Sequence, residues 1–146
     1  MAINIDFVSS EEDPLLAQSI IESLNATSAG ELCKIANLNI VLGDDDLLKQ
    51  LNKDFRGYDE PTDVLAFDLC DDASELVEGD IYISLERALA QATERGEAAS
   101  RETIRLAIHG FLHLSGWDHD DEESLKSMVD CGEQYIVDLQ GVVSGS

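Results

Sequence analysis

Polar and apolar residues alternate at the start of the chain. Ile3, Ile5 and Phe7 take every second position, the period of a half-buried strand. Asp13-Pro14 follows as an N-cap with proline at the first helical position. Leu15, Leu16, Ile20, Ile21 and Leu24 then supply one apolar helix face. Alternation returns from Ala36 to Leu42 through Leu38, Ile40 and Leu42, predicting a second strand. Gly43 turns the chain, Asp44 caps, and a second helix runs to about Phe55. Val64 to Phe67 reads as a third strand. The acidic stretch Asp71 to Glu78 reads as a loop into a fourth strand, Ile81 to Ser84. No helix intervenes between those two strands, so a hairpin is expected.

Ser84 is placed to cap a third helix, Leu85 to about Arg95, which Gly96 ends. Ser100 is placed to cap a fourth, in which Ile104, Ala107, Ile108, Phe111, Leu112 and Leu114 cover nearly every face. Such a helix belongs in the centre of a fold. Asp120-Asp121-Glu122-Glu123 resembles a capping box for a final helix bearing Leu125, Met128, Val129 and Ile136. The segment 141–146 is expected to be a frayed tail. No linker or repeat divides the sequence. The prediction is a single α+β domain over residues 1–146: a four-stranded mixed sheet with about five helices around the fourth-helix segment.

At 146 residues the chain can bury one core, and with 44% apolar but only 5% aromatic residues that core is mainly aliphatic. Thirty-one acidic against nine basic residues give a net charge of −22. Such a field repels nucleic acid and anionic membranes, so a polyanionic substrate needs a local positive focus. Cys33, Cys70 and Cys131 form no C-x-x-C pair and read as thiols of a reducing cytoplasm. The opening MAINIDFVSS lacks the features of a signal peptide, and no apolar run approaches the roughly 18 residues of a membrane span. A P-loop and a dinucleotide-binding glycine motif are also absent.

All three histidines fall in one stretch, HGFLHLSGWDH, residues 109–119. His109 and His113, at i and i+4, share a helix face and can share a cation. Gly116 lets the chain leave the helix, so that His119 can fold back as a third ligand. Three histidines with an open fourth position form a catalytic rather than a structural zinc arrangement. Metzincin proteases have this histidine and glycine spacing but carry a glutamate base directly after the first histidine. Here that position is Gly110, which argues against peptide hydrolysis.

Further blocks accompany the histidines. LNKDFRGYDEPTDVLAFDL (51–69) resembles a family block LNxxYRxxDxPTDVLSFP, GDIYIS (79–84) resembles GDIxIS, and HGFLHLSGWDH resembles HGxLHLxGYDH. Glu102 matches an acidic residue usual ahead of the last motif. In this order the blocks resemble the YbeY family of bacterial rRNA maturation endoribonucleases. The resemblance implies an α+β fold, one zinc-type metal on His109, His113 and His119, and a functional arginine at Arg56. It also implies maturation of small-subunit rRNA and ribosome quality control. The implied partners are the rRNA precursor or small subunit, a small-subunit ribosomal protein and a ribosome-assembly GTPase. Ala66 stands where serine is usual, Asp68 where proline is usual, and Trp117 where tyrosine is usual.

Phosphodiester cleavage needs an activated oxygen nucleophile, stabilised phosphoryl charge and a leaving-group acid. Three neutral imidazoles leave a zinc ion its full charge, and Arg56 offers a bidentate contact to phosphate. Asp63 or Asp118 can orient a histidine or serve as base, and Asp118 or Asp120 can approach the metal; helix capping and loop solvation are the competing roles. RNA can also supply its own 2′-hydroxyl. The expectation is a zinc-dependent endoribonuclease with Arg56, His109 and His113 at its centre. The alternative is a non-catalytic ribosome-assembly factor with a structural metal, docking on a basic ribosomal protein.

Overall fold

A computed structural model describes residues 3–60, 62–70, 76–117 and 121–139. The elements run β1 (Ile3–Phe7), α1 (Pro14–Gly30), β2 (Lys34–Gly43), α2 (Asp45–Arg56), β3 (Val64–Asp68), β4 (Leu76–Ser84), α3 (Leu85–Arg95), α4 (Ala99–Leu114) and α5 (Glu122–Glu133). The sheet order is β1-β2-β4-β3. β1 pairs parallel with β2 and β2 parallel with β4, whereas β3 runs antiparallel to β4 as the hairpin requires. The predicted α+β class, mixed four-stranded sheet and five helices are all present.

Several helix ends follow directly from local chemistry. Asp13, Asp44 and Ser84 each accept a hydrogen bond from the backbone N–H three residues on, satisfying a donor that the first turn leaves unpaired. Gly57 and Gly96 end α2 and α3 in left-handed conformations.

Other details differ from the sequence reading. Ser100 does not cap α4. The N-cap is Ala98, without a side-chain bond, and the Ser100 hydroxyl instead donates to the Asp138 carboxylate at 3.0 Å. Asp121 caps α5 by accepting from Ser124 N at 2.7 Å. The residue three positions on is thus a serine, and the glutamate half of a capping box is missing. Asp120 lies outside the described residues, as does the segment 141–146. β4 begins at Leu76 rather than Ile81, because Leu76, Val77 and Glu78 pair with β2 despite their acidic setting. β2 likewise begins at Lys34, two residues before Ala36. Leu15 and Leu125 are exposed, and Ile136 lies beyond the end of α5.

The core joins Leu38, Ile40 and Leu42 of β2 and Ile81 and Ile83 of β4 to Ile20 and Leu24 of α1 and to α4. α4 is the central helix: from Ser100 to Leu112 only Arg101 and His109 escape full burial. It touches α1, α3, α5, β3 and β4. Close approach to the sheet is possible because residue 110 is glycine. A Cβ there would lie 2.8 Å from Ile81 Cγ2.

Two polar arrangements lock the helices together. Arg105, almost buried on α4, donates to both oxygens of Glu133 at 2.6 and 3.0 Å, to Glu97 at 2.8 Å, and to Glu102. These carboxylates push the guanidinium pKa above its usual value, the Glu133 hydrogen bonds being the largest cause. The buried serines of α1 clasp the chain beyond α5. Ser23 Oγ accepts from Val137 N at 2.9 Å, and Ser19 Oγ accepts from Leu139 N at 3.0 Å.

Candidate active site

The histidine helix ends in a specific turn. Trp117 N donates to Leu112 O at 2.9 Å and Gly116 N to His113 O at 3.2 Å, the paired bonds of a Schellman motif. Gly116 takes φ +111°, a value open to glycine and strained for other residues. Trp117, the first residue past the turn, packs against the core. Its indole Nε1 donates to Glu31 Oε1 at 3.0 Å. Glu31 also accepts from the Tyr135 hydroxyl at 2.7 Å. That bond is the main reason its carboxyl titrates below the ordinary range, and the Tyr135 phenol is pushed up to about 12 in return.

One turn back, His109 and His113 stand side by side with ring centroids 4.9 Å apart. Their Nε2 atoms approach to 3.2 Å. One N–H···N hydrogen bond accounts for this distance if the tautomers differ. Two lone pairs directed at one cation account for it equally. With zinc–nitrogen bonds of about 2.0–2.1 Å, that separation corresponds to an angle at the metal of about 100°, near tetrahedral. The pair therefore fits a zinc ion. Among the described residues no group of three His, Cys, Asp or Glu side chains is placed to hold a metal. His119 and Asp118 lie outside the described residues.

The histidines open onto a groove of about 750 Å³ whose lining includes Phe55, Arg56, Asp63, Ala66, Phe67, His109 and His113. Three elements build it. α4 supplies the imidazoles, the C-terminal end of α2 supplies Phe55 and Arg56, and β3 with its approach supplies Asp63 to Phe67. As the edge strand, β3 forms the rim. Ala66 pairs with Ile81 and so shares the face that α4 covers, whereas Phe67 points to the opposite face by strand alternation. Arg56 is exposed, its Cζ 6.0 Å from the centroid of the Tyr58 ring.

The structure thus brings together four predicted site residues from two distant stretches of the sequence: Arg56 with Asp63, and His109 with His113. The Asp63 carboxylate accepts from Gln91 Nε2 at 3.1 Å, and its backbone oxygen accepts from Ser84 N at 2.9 Å. Its position at the junction of β3 and α3 is therefore fixed. Ala66 lines the groove, so the hydroxyl of a serine is missing from the groove itself. Glu102 is buried against Arg105, with Arg95 Nε at 3.7 Å, and serves the fold. Gly110 borders the groove with no room for a glutamate, which gives the missing protease base a steric reason. The sequence reading missed the aromatic wall. Phe55 and Phe67 meet edge to face at 5.5 Å, and Phe67 meets Tyr82 at 5.8 Å. An aromatic residue directly before the arginine at a helix end was the available signal.

Among the described residues no helix is long and apolar enough to cross a membrane. A family model described as Endoribonuclease YbeY matches residues 4–140. A protein of Desulfitobacterium hafniense named Endoribonuclease YbeY is 40% identical over 123 residues, covering 78% of this chain and 76% of that one. One of the same name from Carboxydothermus hydrogenoformans is 39% identical over 124 residues, covering 85% and 86%. The solution structure of TM1509 from Thermotoga maritima aligns with a TM-score of 0.65 at 29% identity, covering 97% of this chain and 92% of that one. With two of the three family blocks lining one groove and matches over most of its length, this chain belongs to the YbeY family.

Proposed function

We propose that this protein is a metal-dependent single-strand endoribonuclease that acts in the cytoplasm on rRNA precursors, chiefly in small-subunit rRNA maturation, and in ribosome quality control. The observation that carries this reading is the convergence of Arg56 with the paired histidine nitrogens on one groove. The names of the relatives support the reaction class. His109 and His113, with His119 as third donor, would hold one zinc ion per chain. Zinc on neutral imidazoles supplies undiminished positive charge that acidifies water and polarises a phosphoryl oxygen.

The chain's own residues do the rest. Arg56 grips the non-bridging oxygens of the scissile phosphate through its planar fork. Asp63 lines the groove beside His109, where it orients an imidazole or accepts a proton from the attacking oxygen; Asp118 is the second candidate for that role. A neighbouring 2′-hydroxyl serves as nucleophile as readily as water does. With a net charge of −22, the protein is delivered to RNA by basic partners, a small-subunit ribosomal protein and a ribosome-assembly GTPase.

The test combines elemental analysis with cleavage of an rRNA precursor fragment. Wild type is expected to carry about one zinc and to cut single-stranded regions. Arg56→Ala should keep metal and fold but lose at least about 100-fold in rate, the usual effect of removing a charge-stabilising donor. Full activity in Arg56→Ala would remove that residue from the mechanism. The charge also favours a second reading, an assembly factor with a structural metal that docks on a basic ribosomal protein. It requires an inert zinc-loaded wild type and a His113→Ala variant that unfolds.

A further inference from the structure

Phe55 is 68% exposed, although it is among the largest apolar side chains in the molecule. It does not stand alone. Its ring meets Phe67 edge to face at 5.5 Å, interplanar angle 65°, and Phe67 in turn meets Tyr82 at 5.8 Å. The buttressed ring lines the same groove as Arg56 and the histidine pair, on the far side of the β3 edge from α4. Among the described residues lining that groove, Arg56 carries the one permanent positive charge. The groove's own side chains therefore neutralise few phosphates away from the histidine pair, and flanking nucleotides need another source of affinity. Aromatic faces beside an arginine are the usual solution for unpaired nucleotides, since every base has a π-face.

We propose that Phe55, held by Phe67, is a base-stacking platform for single-stranded RNA, binding the nucleobase next to the phosphate gripped by Arg56. This rests on the endoribonuclease reading and adds to it the substrate feature being recognised: an unstacked base. Duplex RNA, whose bases are already stacked on each other, is excluded by the same contact. Binding should also depend weakly on salt. At about −0.7 per phosphate contact on a single strand, one or two contacts give a log–log slope no steeper than about −1.5.

The probe is a short labelled 2′-O-methyl single strand, followed by fluorescence anisotropy at several salt concentrations, with its integrity checked on a gel. Phe55→Ala should weaken binding about 5- to 100-fold with an unchanged circular dichroism spectrum. Phe55→Leu should behave like Phe55→Ala, whereas Phe55→Trp should bind at least as well as wild type. A strand with an abasic nucleotide at the stacked position should bind wild type and Phe55→Ala alike. Wild-type affinity in Phe55→Leu would overturn the proposal, because it would mean that the patch needs only apolar bulk, as a protein-docking surface does. Equal affinity for a matched duplex would also overturn it. Phe55-dependent binding by a protein that cuts no RNA would support the platform while refuting the nuclease; cleavage that is insensitive to Phe55 would do the reverse.

Discussion

Replacing Arg105 by methionine tests how far one side chain holds α4 in place. Arg105 is 9% exposed and bridges Glu133 at the end of α5, Glu97 before α4, and Glu102 one turn earlier on α4 itself. Methionine fills much of the volume but leaves three carboxylates facing one another, of which Glu102 is only 2% exposed. Removing one partner from a buried ionic cluster costs about 3–5 kcal/mol. Two features place this case near the lower end. Glu97 and Glu133 keep about a third of their side-chain surface in water, and Arg95 remains 3.7 Å from Glu102. The expected loss is thus about 3 kcal/mol, a large share of the roughly 5–15 kcal/mol that hold a domain together. It should lower the melting temperature by about 6–12 °C.

The loss should depend on pH in a defined direction. Hydrogen bonds from Arg105 hold the Glu97 and Glu133 carboxyls below their usual pKa. The stability they contribute is complete above the unfolded value, about 4.3, and drains away as pH falls through the lower native values. Acid also neutralises the carboxylates left facing one another in the variant. Urea titrations should therefore show the gap between wild type and Arg105→Met narrowing from pH 7.5 to pH 4. A loss under about 1 kcal/mol at pH 7.5, or a gap that widens in acid, would refute this account of the cluster.

Gly79→Ala should destabilise the protein by about 1–3 kcal/mol in chemical denaturation, because a Cβ there would clash with the Phe67 carbonyl oxygen, which is backbone and has little room to retreat. Glu31→Gln should return the Tyr135 phenol from about 12 toward its ordinary value near 10, seen as an earlier rise in ultraviolet difference absorbance on alkaline titration. In wild type the stability linked to Tyr135 is complete below about pH 10 and lost as pH rises through about 12. Ser19→Ala combined with Ser23→Ala should accelerate amide hydrogen exchange at Val137 and Leu139, and unchanged protection at both would show that the α1 clasp contributes nothing.

The legible parts of this fold were those in which one residue decides one local bond. Asp13, Asp44 and Ser84 cap because a short side-chain oxygen reaches the N–H three positions on, whatever surrounds it. Ser100 has the same chemistry but meets Asp138, a partner 38 positions away, and tertiary context wins. Arg105 was invisible for a similar reason. Helical periodicity treats a charge as a solvent marker, whereas here it is a buried hub whose partners come from three segments. The acidic start of β4 hid its strand character, since neighbouring β2 rather than local alternation recruits Leu76 to Glu78. The shared helix face of His109 and His113 was legible from spacing alone, whereas the groove position of Arg56 was not, since it entered only through the family block. Phe55 was not, because an aromatic at a helix end reads as core until its exposure is known.

The central pairing of the sheet has a consequence for how the protein is made. β2 finds its partner β4 only after a long excursion; Asn39 and Asp80, hydrogen-bonded across that pair, are 41 residues apart. Both outer strands depend on it, since β1 needs β2 and β3 needs β4. A growing chain that has emerged only through β3 therefore carries an unfilled ladder along β2, with apolar Leu38, Ile40 and Leu42 still awaiting cover. Closing so long a loop before its contacts reward it is slow. The histidine helix, beginning at Ala99, follows only after all four strands, with α5 behind it. During synthesis, the groove thus takes shape only after the sheet beneath it is complete, and chains stalled before β4 are prone to pair with one another through the bare β2 edge.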